Sequence, residues 1–195
     1  MSTEIDIDWN AVLAEQLDWQ WQTNLRPRFA GLTDDEYFWE PVPGCWSVRE
    51  RGTPTAPRAL GSGRYLLEIE RFDPEISPVT TIAWRLAHLI VGVFAMRNAA
   101  HFGGAPADFH TFEYAGTADE ALAQLDAAYA AWISGVRNLG AAGLARPCGP
   151  AEEPYDKSAL AELVLHINRE ALHHGAEIAL LRDLYRWKGA DVRAL

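Results

Sequence analysis

Glu170 and His174 stand four residues apart in the run Leu165-His166-Ile167-Asn168-Arg169-Glu170-Ala171-Leu172-His173-His174-Gly175-Ala176-Glu177-Ile178. On a helix, side chains at this spacing are neighbours, with Cβ atoms roughly 5–6 Å apart. The apolar residues around them, Leu160, Leu163, Ile167, Ala171, Ile178, Leu181 and Tyr185, recur at steps of three and four with one gap of seven. That is the buried stripe of an amphipathic helix. Glu170 and His174 fall on or beside it, so a carboxylate and an imidazole occupy positions where core side chains belong. An ionised carboxylate buried without a partner is strongly unfavourable. A divalent metal ion would partner both groups.

His88 is the natural third ligand, as the one histidine in the apolar middle of an earlier helix, Trp84-Arg85-Leu86-Ala87-His88-Leu89. Three protein ligands with an open position are the pattern of a reactive site, whereas structural zinc sites are closed by four. Two imidazoles and a carboxylate suit zinc, nickel or iron(II). Plainer readings stand beside this one. A lone histidine in an apolar helix is more often a hydrogen-bonded core residue, and a Glu-x-x-x-His pair is more often a surface contact. The conjunction of all three on one core sets the metal level with these plainer readings. His166 precedes Glu170 by four residues but lies further round the helix, and His173 faces about 100° away from the stripe; both read as supporting or surface groups. His101 and His110, in or beside a Gly-Gly-Ala-Pro loop, carry little weight.

Four helices must position these residues. The first spans 9–29, with Trp9, Val12, Leu13, Leu17, Trp21 and Leu25 on one face and Gly31-Leu32-Thr33 after it. A short turn at 34–37 follows the N-cap Thr33. Residues 39–78 form a long connection containing Pro41, Pro43, Gly44, Pro54, Pro57, Gly61, Gly63 and Pro74, which rule out a long helix. Segments 45–48 and 65–69 could pair as a short hairpin within it. A connection of this length is usually functional. The second helix, 80–101, is apolar nearly all round, as expected for the buried centre of a bundle. The third, 118–139, is alanine-rich and ended by Gly140; the fourth, 157–187, is ended by Gly189. The pattern predicts one all-α domain over residues 1–195, a four-helix bundle with a long crossover between helices one and two. In such bundles metal sites are built from inward side chains on facing helices.

The bulk numbers fit. A chain of 195 residues with 49% hydrophobic content suits one soluble domain. No apolar run approaches the 18 residues of a membrane span. Residues 1–8 are acidic and polar, unlike a signal peptide, which predicts a cytoplasmic protein. Net charge is −10, from 27 acidic and 17 basic residues, with no basic patch. That points to small-molecule or protein partners and away from nucleic acid. Cys45 and Cys148 cannot build a disulfide framework. They are expected to be reduced thiols outside the metal site. Eight tryptophans are many for this length and read mainly as core.

The chain resembles the DinB/YfiT-like superfamily of metal-binding four-helix bundles. The likeness is carried by Trp46-Ser47-Val48, by Ile82-Ala83-Trp84-Arg85-Leu86-Ala87-His88-Leu89 and by the run from His166 to Ile178. Many members carry His-x-x-x-His in the last helix, where this chain has Glu170-x-x-x-His174. That variant is similar to the metal site of the mycothiol-dependent maleylpyruvate isomerases, in which a histidine of the second helix joins a glutamate and a histidine of the last. The resemblance implies His88, Glu170 and His174 as the three ligands, a homodimer, and chemistry with a low-molecular-weight thiol. The isomerases carry a further C-terminal domain, and this sequence ends at Leu195, so isomerase activity is not expected to carry over. The acidic charge gives no support for a role in DNA repair.

The first functional reading is therefore a divalent-metal-dependent S-transferase acting with a mycothiol-type thiol. A thiol that coordinates a metal loses its proton, and the thiolate is the nucleophile. Arg85, one turn before His88, would steady an anionic group or else form a salt bridge at the bundle rim. Trp84 and Trp46 would wall the cofactor pocket or else pack the core. The electrophile would enter from the side of the long connection. The alternatives are a metal-dependent hydrolase, with His166 as the general base, and a non-catalytic metal-binding protein.

Overall fold

The computed structural model describes residues 5–69 and 78–188; Pro74, Gly189 and both chain ends lie outside them. The fold is mostly helical with a small antiparallel sheet. Helix α1 runs through three consecutive segments, Trp9–Gln20, Trp21–Leu25 and Arg26–Arg28. The Asp8 carboxylate caps it by accepting from the Ala11 amide at 3.1 Å. Leu17, Trp21 and Leu25 are buried as expected, and Trp21 stacks on Tyr129 with centroids 4.2 Å apart. Trp9 and Val12, expected on the same face, are instead exposed. Asn10 takes the inward position and donates to the Arg137 carbonyl at 3.0 Å. That bond satisfies the side-chain nitrogen, while Oδ1 is buried without a partner among the described residues.

Helix α2, Asp34–Tyr37, opens on the capping box of Thr33 and Glu36. Glu36 is buried and accepts from Arg182 at 3.1 and 3.0 Å. Arg182 also donates to the carbonyls of Arg28 and Ala30, so it fastens the end of α1 to the last helix.

The long connection holds three strands, β1 Val48–Glu50, β2 Ala59–Leu60 and β3 Tyr65–Glu68, in the order β1-β3-β2. The register pairs Val48 with Leu67 and Ala59 with Glu68. The expected strand at 65–69 is present. Its partner begins at Val48, where the expected strand ended, because Trp46 bridges to Thr80 instead. Glu68 organises the connection. Its fully buried carboxylate accepts from the amides of Ser47, Thr55 and Ala56 and from Arg49 Nε. Its backbone carbonyl accepts from Trp84 Nε1 at 2.7 Å. The connection is thereby fixed to the helix one turn before His88.

Helix α3 comprises Ile82–Ala87, His88–Ala95 and Met96–His101, the middle segment being π-helical. Thr81 caps it by accepting from the Trp84 amide. From Ile82 to Phe94 it is buried nearly all round and packs against the next long helix and the last. Helix α4 is Ala118–Arg137, capped by Thr117. Gly140 does more than end it: at φ +61° it turns the chain into a separate short helix α5, Gly140–Ala145. Helix α6 is Leu160–Trp187, starting three residues later than the sequence pattern suggested. The segment 147–159 before it forms its own turn structure, with Cys148 and Gly149 donating to the carbonyls of Ser158 and Asp156. Leu160, Leu163, Ile167, Ala171 and Ile178 are buried as the stripe required. Among the described residues no helix is long and apolar enough to cross a membrane.

Candidate metal centre

His88 opens the π-helical segment of α3. Such segments widen a helix by one backbone step and occur often at functional sites. Its ring lies against Trp84, with centroids 5.4 Å apart and planes 12° from parallel. Its other side is narrow: a Cβ on Gly92 would come within 3.2 Å of His88 Nδ1 and 2.9 Å of the Phe109 ring. A glycine is needed there so that helix, imidazole and phenyl ring can meet. Burial pushes the His88 pKa down to about 3, with His174, Arg85 and Arg97 adding in the same direction. At neutral pH the imidazole is uncharged and keeps a lone pair for a ligand.

Helix α6 supplies the other two groups. His174 is buried and meets His88 edge-on, with ring centroids 4.6 Å apart. Its Nε2 lies 3.4 Å from Glu170 Oε2. One ligand atom each from His88, Glu170 and His174 can be chosen so that all lie within 4.8 Å of one another. Two imidazoles and one carboxylate on two facing helices fit a divalent ion. A second group, His173, His174 and Glu177, meets the same distance criterion, but it shares His174 and draws on the exposed His173. Neither cysteine belongs to these groups; both are buried free thiols whose pKa burial raises.

The remaining residues singled out by sequence fall in distinct places. Arg85 points at the outer side of His174 and pairs with Glu177 at 3.1 Å. Trp84 backs His88, and Trp46 lies 6.4 Å from Trp84, ring to ring. None of the three lines either cavity described below. His166 has its Nδ1 3.8 Å from Glu170 Oε1 and 3.0 Å from Arg169 Nη2. His101 binds Glu152 at 3.1 Å.

A cavity of about 200 Å³ lies beside His88 and Glu170, lined by them with Gly92, Val93, Arg97, Phe109, His166 and Ile167 but not by His174. A larger cleft of about 710 Å³ lies between α6 and the 147–159 segment, and Arg97 and His166 line both. Among the described residues the larger cleft is lined by the segment before α6, and neither cavity is lined by the long connection. Arg97 is anchored by donating to the Gly92 carbonyl at 2.7 Å and to Glu152 at 3.2 Å. Sequence reasoning passed over Glu177 and Arg97. Glu177 had a usable signal, the three-residue step from His174. Arg97 had a weaker one, a charge closing an apolar helix nine residues after His88.

The fold and the paired helices define a class known from sequence. The model of the DinB superfamily matches residues 67–178, more than half of the chain, and the chain belongs to that superfamily. Searches of curated proteins and of solved structures returned no match.

Proposed function

We propose that this protein is a divalent-metal-dependent enzyme that joins a low-molecular-weight thiol, of the mycothiol type, to an electrophile. The observation that carries the reading is the convergence of His88, Glu170 and His174, the first two of which line a cavity. On this reading those three residues hold the ion, zinc being the first choice and nickel or iron(II) compatible. The likeness of the Glu-x-x-x-His pair to the isomerase motif supports the thiol. The reading takes residues 1–195 as one four-helix bundle domain that works as a homodimer.

His88, Glu170 and His174 would hold a divalent ion, which would supply stabilisation of thiolate over thiol and so a nucleophile populated at neutral pH. The chain's own groups do the rest. His88, uncharged in its apolar surroundings, and Glu170 line the cavity and would orient a sulfur bound there. Phe109, Val93 and Ile167 exclude water beside it. Arg97 and His166, on the wall shared by both cavities, face whatever part of the reactants extends into the larger cleft. With an aromatic chloride as electrophile, the sulfur would form its new bond to the ring carbon, the carbon–chlorine bond would break, chloride would leave to solvent, and the thiol proton would go to solvent or to His166.

A hydrolytic reading is favoured by one observation, that His166 stands on the cavity wall near Glu170. There it could take a proton from water during hydrolysis. Metal analysis of the purified protein, followed by thiol transfer to an electrophilic aromatic chloride, separates the cases. Metal-dependent consumption of thiol with conjugate formation supports the transferase. Metal-dependent ester cleavage without thiol consumption favours the hydrolase. A metal-loaded protein inert in both assays rejects catalysis.

A further inference from the structure

His174 is held on both edges of its ring. Nε2 faces Glu170 Oε2 at 3.4 Å, whereas Nδ1 lies 2.6 Å from Glu177 Oε2. Arg85 Nη1 approaches the same Nδ1 at 3.5 Å and the same Glu177 oxygen at 3.1 Å. Nδ1 cannot accept from Arg85 and donate to Glu177 at once. The shorter contact decides: Nδ1 carries the hydrogen and donates to the carboxylate, and Arg85 donates to Glu177. Arg85 is in turn seated over Trp84, its guanidinium carbon 5.3 Å from the ring centroid. Since Trp84 stacks on His88, one connected set of groups backs both histidines.

We propose that Glu177 is a positioning residue. It fixes His174 as the tautomer with hydrogen on Nδ1, leaving the Nε2 lone pair directed toward Glu170 and His88. Carboxylates that accept from a ligating histidine orient the ring and raise its basicity. The assignment rests on the metal-site reading above. It also decides between the two overlapping groups. An ion held by His173, His174 and Glu177 needs a ligand atom of His174 on the Glu177 side, where Nδ1 carries hydrogen.

The test reads the tautomer directly. Two-bond proton–nitrogen correlation spectra of ¹⁵N-labelled, metal-free protein, at a pH above the histidine range, distinguish hydrogen on Nδ1 from hydrogen on Nε2. His174 should show the Nδ1–H form in the wild type and in Glu177→Gln, which keeps an acceptor. Glu177→Leu should populate both forms. Glu177 is partly exposed, so neither substitution is expected to prevent folding. Zinc titration should then place the ion on Nε2, with affinity falling roughly 10–100-fold in Glu177→Leu and much less in Glu177→Gln. An unchanged tautomer in Glu177→Leu, or zinc on Nδ1, overturns the proposal. A protein that shows the expected tautomers but takes up no zinc overturns the metal-site reading alone.

Discussion

Trp84 lies flat against His88, with planes 12° apart, while its indole N–H reaches the carbonyl of Glu68 at 2.7 Å. One side chain therefore ties the long connection to the back of the candidate metal centre. Trp84→Phe keeps a ring against the imidazole but leaves the Glu68 carbonyl unpaired. Its expected cost is about 1–3 kcal/mol in a urea melt, the range for an orphaned buried acceptor, with metal content close to wild type. Trp84→Ala removes the stack as well and should cost about 3–5 kcal/mol and lose metal. Equal metal content in both variants would show that the stack does not position His88.

Glu170 and Arg85 make a contrasting pair. A ligating carboxylate supplies both charge and a bond to the ion, whereas Arg85 is a cation that acts through Glu177. Glu170→Gln should lower zinc affinity well below that of Arg85→Ala, measured by competition with a chromophoric chelator. Equal losses would make Glu170 a helix-surface acid paired with His166 and His174.

Much of this site could be read from local spacing. Glu170 and His174 lie within a helix whose period the sequence displays, and such a helix fixes its own face; His88 stood out instead as the histidine within a helix apolar nearly all round. What depends on packing between distant segments was not legible. Trp9 and Val12 fit the apolar stripe of the first helix, yet the carbonyl of Arg137, more than a hundred residues away, draws Asn10 inward instead. The cleft against α6 was hidden for the same reason, because the 147–159 segment that lines it has no periodicity that shows where it docks. The π-helical turn at His88 leaves no mark in residue type. The sheet was half visible: the apolar character of 65–69 is local, but its pairing partner is set by the bridge between Trp46 and Thr80.

Glu68 gives a pH test remote from the metal. Burial alone would raise its pKa, but the amides of Ala56 and Thr55, the Arg49 guanidinium and the Ser47 amide together hold it below the usual carboxylate range. A depressed folded-state pKa means that the ionised carboxylate stabilises the fold above the unfolded value of roughly 4.3. That stability is lost as pH falls through the lower, folded value. Glu68→Gln, whose amide presents hydrogens to backbone donors, should cost about 3–5 kcal/mol near neutral pH. Chemical denaturation across an acid series should show the gap to wild type narrowing below about pH 4. A gap that stays constant into that range would mean that the charge of Glu68 contributes nothing.

Gly92→Ala separates stability from site geometry. In a helix interior this change ordinarily stabilises by about 1 kcal/mol, because alanine has the higher helix propensity. Here the new methyl would lie 2.9 Å from the tip of Phe109 and 3.2 Å from His88 Nδ1. Phe109 is partly buried at the edge of the core and can swing away, whereas His88 is held between Trp84 and His174. The methyl also projects toward the roughly 200 Å³ cavity that both rings line. The variant should therefore melt within about 1 kcal/mol of wild type while binding zinc more weakly and admitting thiol poorly. Calorimetric titration of zinc, then of a small thiol into the loaded protein, reads the two effects in turn. Wild-type affinity for both would mean that the cavity beside His88 is not where the reactants bind.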